Sequence, residues 1–182
     1  MRRRREKVEL TGDEEQIVSF LLGRETFAVM VSQVREIQKV QDITRVPKMP
    51  AFIEGVMNLR GQITTVIDLK KRFNIDSDGP SRTAQSRIIV AEIGDNQLGI
   101  IVDAVEDVMR VPRQSISPPP ATLVAGVEAN ALTGICKLPD KLIMMMDLEK
   151  IISGAEMAML SRGDSLKLDT VVKQTEQAEV SK

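Results

Sequence analysis

Histidine, tryptophan and tyrosine are absent from this 182-residue chain, which has one cysteine and four phenylalanines. Without an imidazole there is no Ser-His-Asp triad, no Cys-His pair and no histidine zinc site. The lone Cys136 rules out an intramolecular disulfide and a cysteine zinc cluster, and so sparing a use of cysteine fits a reducing compartment. Long apolar runs are missing too. None approaches the roughly 18 residues of a membrane-spanning helix, so no membrane insertion is expected. Nor does either sign of charge dominate: 25 Lys and Arg stand against 26 Asp and Glu, with aromatics at 2%. That balance offers neither the basic face nor the stacking platforms of a nucleic-acid binder. With no phosphate-binding or dinucleotide loop and no carboxylates spaced as an acid–base pair, the sequence predicts no catalytic residues, no metal ligands and no cofactor.

What is present begins with a cationic start, Arg2 to Arg5 and Lys7, followed by Val8 to Glu15, too polar for the apolar region of a secretory signal. Residues 1–15 are expected to be a solvated arm and 161–182 a polar tail in which Arg162-Gly163-Asp164 is a chance triplet. Between them the apolar runs are short. Ile17 to Leu22, Gly23-Arg24-Glu25 and Thr26 to Met30 read as a hairpin, as do Arg87 to Ile93, Gly94-Asp95-Asn96 and Gln97 to Val102. Further strand candidates are Gly55 to Leu59, Gln62 to Ile67 and Lys141 to Met146. Such short strands with close turns predict small antiparallel barrels or sandwiches.

An internal repeat organises these strands. Phe27 to Ile37 aligns with Leu98 to Val108 at an offset of 71, and Gly55-Val56 meets Gly126-Val127 at the same offset. Leu59-Arg60-Gly61 meets Leu132-Thr133-Gly134 at 73, and Asp68 to Lys71 meets Asp147 to Lys150 at 79. The expectation is two similar β subdomains of about 70 residues, each near the size where one core alone is marginal, and so packed together on shared apolar surface. Subdomain one would cover about 16–85 and subdomain two about 86–153, within a folded region of 16–160. Met144-Met145-Met146 fits this picture, because an uninterrupted apolar run in a strand is buried on both faces. Cys136 reads as a small strand hydrophobe.

Asp68 and Asp147 each precede a short helical stretch and read as N-terminal caps. Pro47-Lys48-Met49-Pro50 and Pro118-Pro119-Pro120 read as loop stiffeners. The unusual segment is Pro50 to Gly61, where a short turn leads into a strand that ends in Arg60-Gly61. Gly61 supplies the positive φ of a tight turn. Arg60 is either a hairpin-tip charge or a rigidly placed guanidinium beside apolar residues, a combination enriched at interfaces.

Phe52 to Leu69, with Asn58-Leu59-Arg60-Gly61 at its centre, resembles the signature of the CheW family of chemotaxis coupling proteins. Val34 to Ile37, Gly99 to Val105 and Leu132-Thr133-Gly134 follow in family-like order, so the resemblance spans about Gln16 to Leu160. It implies an all-β fold of two SH3-like five-stranded β-barrels on a shared hydrophobic core with short helices, the C-terminal segment being a candidate to close the first. It also implies a cytoplasmic, non-enzymatic adaptor, monomeric in isolation, that links the cytoplasmic tips of chemoreceptors to the histidine kinase CheA in membrane-associated arrays. The alternative is an adaptor of a paralogous, non-motility pathway. The positions that match the family's receptor groove are Val34, Glu36, Ile37, Gly55, Asn58, Leu59 and Arg60; the kinase-contact residues are not identified.

Overall fold

A computed structural model describes residues 12–76, 79–123 and 130–160. The Arg-rich start, Gly126-Val127 and the segment from residue 161 onward lie outside the described residues. The fold is mainly β. The first hairpin pairs β1 (Glu14–Leu22) with β2 (Glu25–Met30) about Gly23, and an equivalent hairpin pairs β6 (Arg87–Ile93) with β7 (Asn96–Val102) about Gly94. Both glycines have positive φ, 62° and 59°, the backbone twist that a two-residue hairpin turn requires. β3 (Val34–Lys39) follows the first hairpin, and β8 (Ala104–Pro112) and the two-residue β9 (Ile116–Ser117) follow the second. Each half then carries one more hairpin, β4 (Ile53–Leu59) with β5 (Gln62–Asp68), and β10 (Leu132–Lys137) with β11 (Leu142–Met146). The strand begins earlier than expected: Glu14 and Glu15 already pair with Pro112 and Val111.

The strands assort into two sheets that do not follow a contiguous division near residue 85. One is ordered β3-β6-β7-β5-β4 and is called the first barrel here; the other, the second barrel, is ordered β8-β1-β2-β11-β10-β9. Each therefore takes its central hairpin from the opposite repeat. The first barrel is brought round on itself by a bridge between Thr44 and Val56, and the second by β9, which leaves β8 and pairs with β10.

The registers show that the exchange is reciprocal. Ile17 faces Met30 and, 71 residues on, Ile88 faces Ile101. The bulge between Ser19 and Phe20 against β8 recurs between Val34 and Glu36 against β6. In the third hairpins the offset is 79, since Gly55 opposite Val66 corresponds to Gly134 opposite Met145. The equivalence of Gly55 with Gly126, and of Leu59-Arg60-Gly61 with Leu132-Thr133-Gly134, is thus corrected. Adjacent glycine matches misled because insertions in the second half fall before β10 and not within it.

Three apolar clusters explain the uninterrupted strand runs. Met57, Val66, Ile88, Val90 and Ile101 fill the first barrel, and Ile17, Ala28, Val111, Cys136, Ile143 and Met145 fill the second. Alternate residues of the same strands, among them Phe20, Phe27, Val29, Ile67, Ile89, Ile100 and Met146, form the core between the barrels. Phe20 and Phe27 stack there with ring centroids 6.3 Å apart. Burial pushes the Cys136 thiol pKa up, in keeping with its place inside the second barrel.

Short helical elements close both barrels. Asp68 Oδ1 accepts the N–H groups of Lys70 and Lys71, at 2.9 and 3.3 Å, and starts α1 (Leu69–Arg72). Asp147 accepts from the Glu149 N–H at 3.0 Å and starts a 3-10 turn over Leu148–Lys150. A last helix, 154–160, opens on a reciprocal cap in which Glu156 N–H donates to Ser153 Oγ and Ser153 N–H to Glu156 Oε2. The Arg72 guanidinium meets the Glu156 carboxylate through two 3.0 Å contacts and lies 4.5 Å above the Phe52 ring, while Leu160 enters the shared core. The C-terminal helix is thereby fastened to the first barrel.

Candidate functional site

The first barrel's edges, β3 and β4, meet where the sequence placed its candidate residues. The β4–β5 hairpin ends at the Leu59–Gln62 pair, and its two turn residues, Arg60 and Gly61, have φ of 53° and 82°. Two consecutive left-handed residues match the twist of the flanking strands. Asn58 Oδ1 accepts the Gly61 N–H at 2.8 Å and holds the turn in place. Arg60 is thus presented on a defined backbone, and its Nη2 lies 2.8 Å from Glu36 Oε2 on β3. The pair spans the barrel's two edges, with Arg60 largely exposed and Glu36 mostly covered.

The candidate positions divide into four groups. Glu36, Asn58 and Arg60 come together on one surface. Ile37 is exposed, but it points to the opposite face of β3 from Glu36, on the side that carries Arg35 and Lys39. Val34 packs partly against the shared core.

Gly55 and Leu59 act from inside. Leu59 is 5% exposed and belongs to the first barrel's core. Gly55 has φ 144°, and a Cβ built there would lie 2.1 Å from the Thr44 carbonyl oxygen. That carbonyl accepts the Val56 N–H at 2.9 Å, and Thr44 N–H donates to Val56 O at 2.8 Å. Gly55 is therefore required by the crossing of two backbones, and a large residue there would disrupt the barrel before it obstructed any groove. Gly134 repeats the device, with a built Cβ 2.9 Å from Ser117 O.

One residue was missed. Ile63 stands directly across from Asn58 in the β4–β5 register and is 39% exposed, leaving an apolar side chain beside the Asn58–Arg60 turn. The available signal was an isoleucine at the first alternate position of a strand whose next residues, Thr64 and Thr65, are buried. The second barrel repeats the apolar part of the arrangement, with an ion pair at different positions, those equivalent to Gln62 and Arg35. Val108 and Leu142, at the positions equivalent to Ile37 and Ile63, are its large exposed apolar residues among those described, and Lys141 pairs with Glu106 at 3.4 Å across the edge. Two separate surfaces, each with an exposed apolar side chain and an ion pair, are equipped for protein recognition. Among the described residues no group of three or more acidic, cysteine or histidine side chains is placed to hold a metal, and no helix is long and apolar enough to cross a membrane.

Comparison with known proteins adds an independent line. A family model described as CheW-like domain matches residues 16–156. The chain is 34% identical over 146 residues to the chemotaxis protein CheW of Klebsiella aerogenes, an alignment covering 80% of this chain and 86% of that protein. It is 29% identical over 161 residues to the chemotaxis protein CheW of Treponema pallidum, covering 87% and 94%. Among solved structures, the scaffolding protein TtCheW from Thermoanaerobacter tengcongensis matches with a TM-score of 0.71 and 40% identity, over 79% of this chain and 92% of that one.

Proposed function

This chain belongs to the CheW-like domain family, and from that premise we propose that it is the adaptor that couples chemoreceptors to the histidine kinase CheA. The observation that carries the reading is the Glu36–Arg60 pair on a fixed hairpin tip, beside exposed Ile63, in the stretch that bears the family signature. A receptor's helical tip would lay apolar side chains against Ile63 and take its register from Arg60. The surface around Val108 and Leu142 leaves a second face free for the kinase.

An adaptor of this kind makes and breaks no bonds. By holding two partners at once it raises the effective concentration of kinase at receptor, and a receptor shift that alters shared contacts biases the kinase. Its site of action would be cytoplasmic, at membrane-associated receptor arrays.

The test is co-sedimentation with receptor cytoplasmic fragments and CheA, read together with kinase autophosphorylation. The reading expects a ternary assembly with raised kinase activity that weakens in Arg60→Ala. Kinase binding without receptor binding would reassign the chain to a paralogous pathway. Binding to neither would remove the function and leave the fold.

A further inference from the structure

We propose that Lys70 and Asp103 form a pin that sets the angle between the two barrels, and that they act as positioning residues for the adaptor by keeping its two faces in the geometry that engages both partners together. The second half of this proposal rests on the adaptor reading; the pin itself does not.

Asp103 is the single residue between β7 of the first barrel and β8 of the second. Its two carboxylate oxygens are divided between the barrels. Oδ1 lies 2.6 Å from Nζ of Lys70 in α1, the helix that closes the first barrel. Oδ2 accepts the Gly23 N–H at 2.7 Å, at the β1–β2 turn of the second barrel, and Asp103 N–H donates to Leu21 O at 3.0 Å. One side chain thus joins the closing element of one barrel to the central hairpin of the other.

Lys70 has few other options. Its side chain is 7% exposed, and among the described residues its ammonium reaches, beyond Asp103, only the Ser81 carbonyl, at 3.4 Å. A buried ammonium deprived of its carboxylate is costly, so the pair resists separation as long as the barrels keep their angle.

The crossing in the other repeat is held differently, which singles out this one. Ser32 occupies the position equivalent to Asp103. The side chain that ties that crossing is Gln33, whose Nε2 donates to Asp147 Oδ1 at 2.6 Å and whose Oε1 accepts from Leu148 N–H at 3.3 Å. Both partners belong to the closing turn of the second barrel, the barrel that β2 has just left. Gln33 fixes a strand exit, whereas Asp103 spans two bodies.

The pin also has room to open. A cavity of about 320 Å³ lies beside it, lined by Leu21, Arg24, Lys70, Thr83, Gln85 and Asp103 among others, and the Asp103 side chain is 25% exposed. Opening of the pair can therefore be met by a rotamer change of Lys70 toward solvent.

The experiment uses the full chain carrying two spin labels, at Asp95→Cys on the first barrel and Asp140→Cys on the second. Both positions are exposed, and buried Cys136 does not compete for the label. Asp103→Asn keeps the acceptor for Gly23 and removes the charge. Lys70→Met removes the buried ammonium and keeps an apolar stem, so it serves as the second variant should the first fold poorly.

The expected result is a broadened label-to-label distance distribution in both variants. Binding of a receptor fragment alone should be unchanged, while ternary assembly with CheA falls about tenfold. Distributions as narrow as the parent's would overturn the pin. Broadened distributions with undiminished ternary assembly would overturn its positioning role. If the parent protein binds neither partner, the adaptor reading fails, and the distance measurement still decides the pin because it needs no partner.

Discussion

At the residue scale, Arg60 and Gly55 show how two positions in one hairpin serve different ends. Arg60 is largely exposed and its ion pair with Glu36 is at the surface, where such pairs contribute about 0–1 kcal/mol. Arg60→Ala should therefore shift the melting temperature by no more than roughly 4 °C, while receptor-fragment binding weakens about tenfold, as for an interface anchor. A melting curve that collapses would make Arg60 a structural residue. Gly55→Ala should behave in the opposite way. Its methyl would meet the Thr44 carbonyl and its φ disfavours any L side chain, so a loss of roughly 3 kcal/mol, or about 6–12 °C in melting temperature, is expected. A melting temperature within about 2 °C of the parent would show that the crossing relaxes. Reading the sequence as a linear motif could not separate these roles, because both residues belong to the same signature. The distinction lies in the Thr44 carbonyl, which crosses Gly55 in space but stands eleven residues away in sequence, and no local pattern encodes that.

At the scale of elements, caps and hairpins carry their own local signals and were readable for that reason. Glycines flanked by apolar runs marked the turns at Gly23 and Gly94, and an aspartate before Leu-Lys-Lys marked the start of α1. The cap's energetics can be checked by chemistry. Asp68 is 2% exposed, and a single oxygen accepts both backbone N–H groups, so Asp68→Asn, which keeps a carbonyl oxygen there, should be nearly neutral. Asp68→Ala should cost about 1–2 kcal/mol, since two covered donors lose their acceptor. Equal losses in thermal melts of the two variants would point to the charge and not the hydrogen bonds. β3 and β8 were harder to see as strands. Each lies at an edge of its sheet, with charged residues such as Arg35, Lys39, Glu106 and Asp107 along it, so the apolar signal of a buried strand is missing.

At the scale of the molecule, the repeat announced two equivalent units, but their composition was hidden. An apolar run says that a strand is buried on both faces and is silent on which strand lies beside it. The structure resolves this by exchange: of the nine strand pairings among the described residues, β1–β8, β2–β11, β3–β6 and β5–β7 join strands on opposite sides of the segment between the repeats. That segment is anchored in turn, with Arg82 2.6 Å from Glu54. The two barrels therefore cannot part by extending a linker, as two contiguous domains could. A chain with a protease sequence inserted between the exposed Gly79 and Pro80, then cut once, should remain one particle. Native gel filtration should give the elution volume of the uncut protein, and denaturant should be needed to part the pieces. Thermal unfolding of the cut protein should become concentration-dependent, because reassembly is now bimolecular. Neither piece alone should show cooperative melting, since each lacks the strands that complete either barrel. Two pieces that separate under native conditions and each melt cooperatively would mean that the repeats are self-sufficient units and that the exchange adds little to their union.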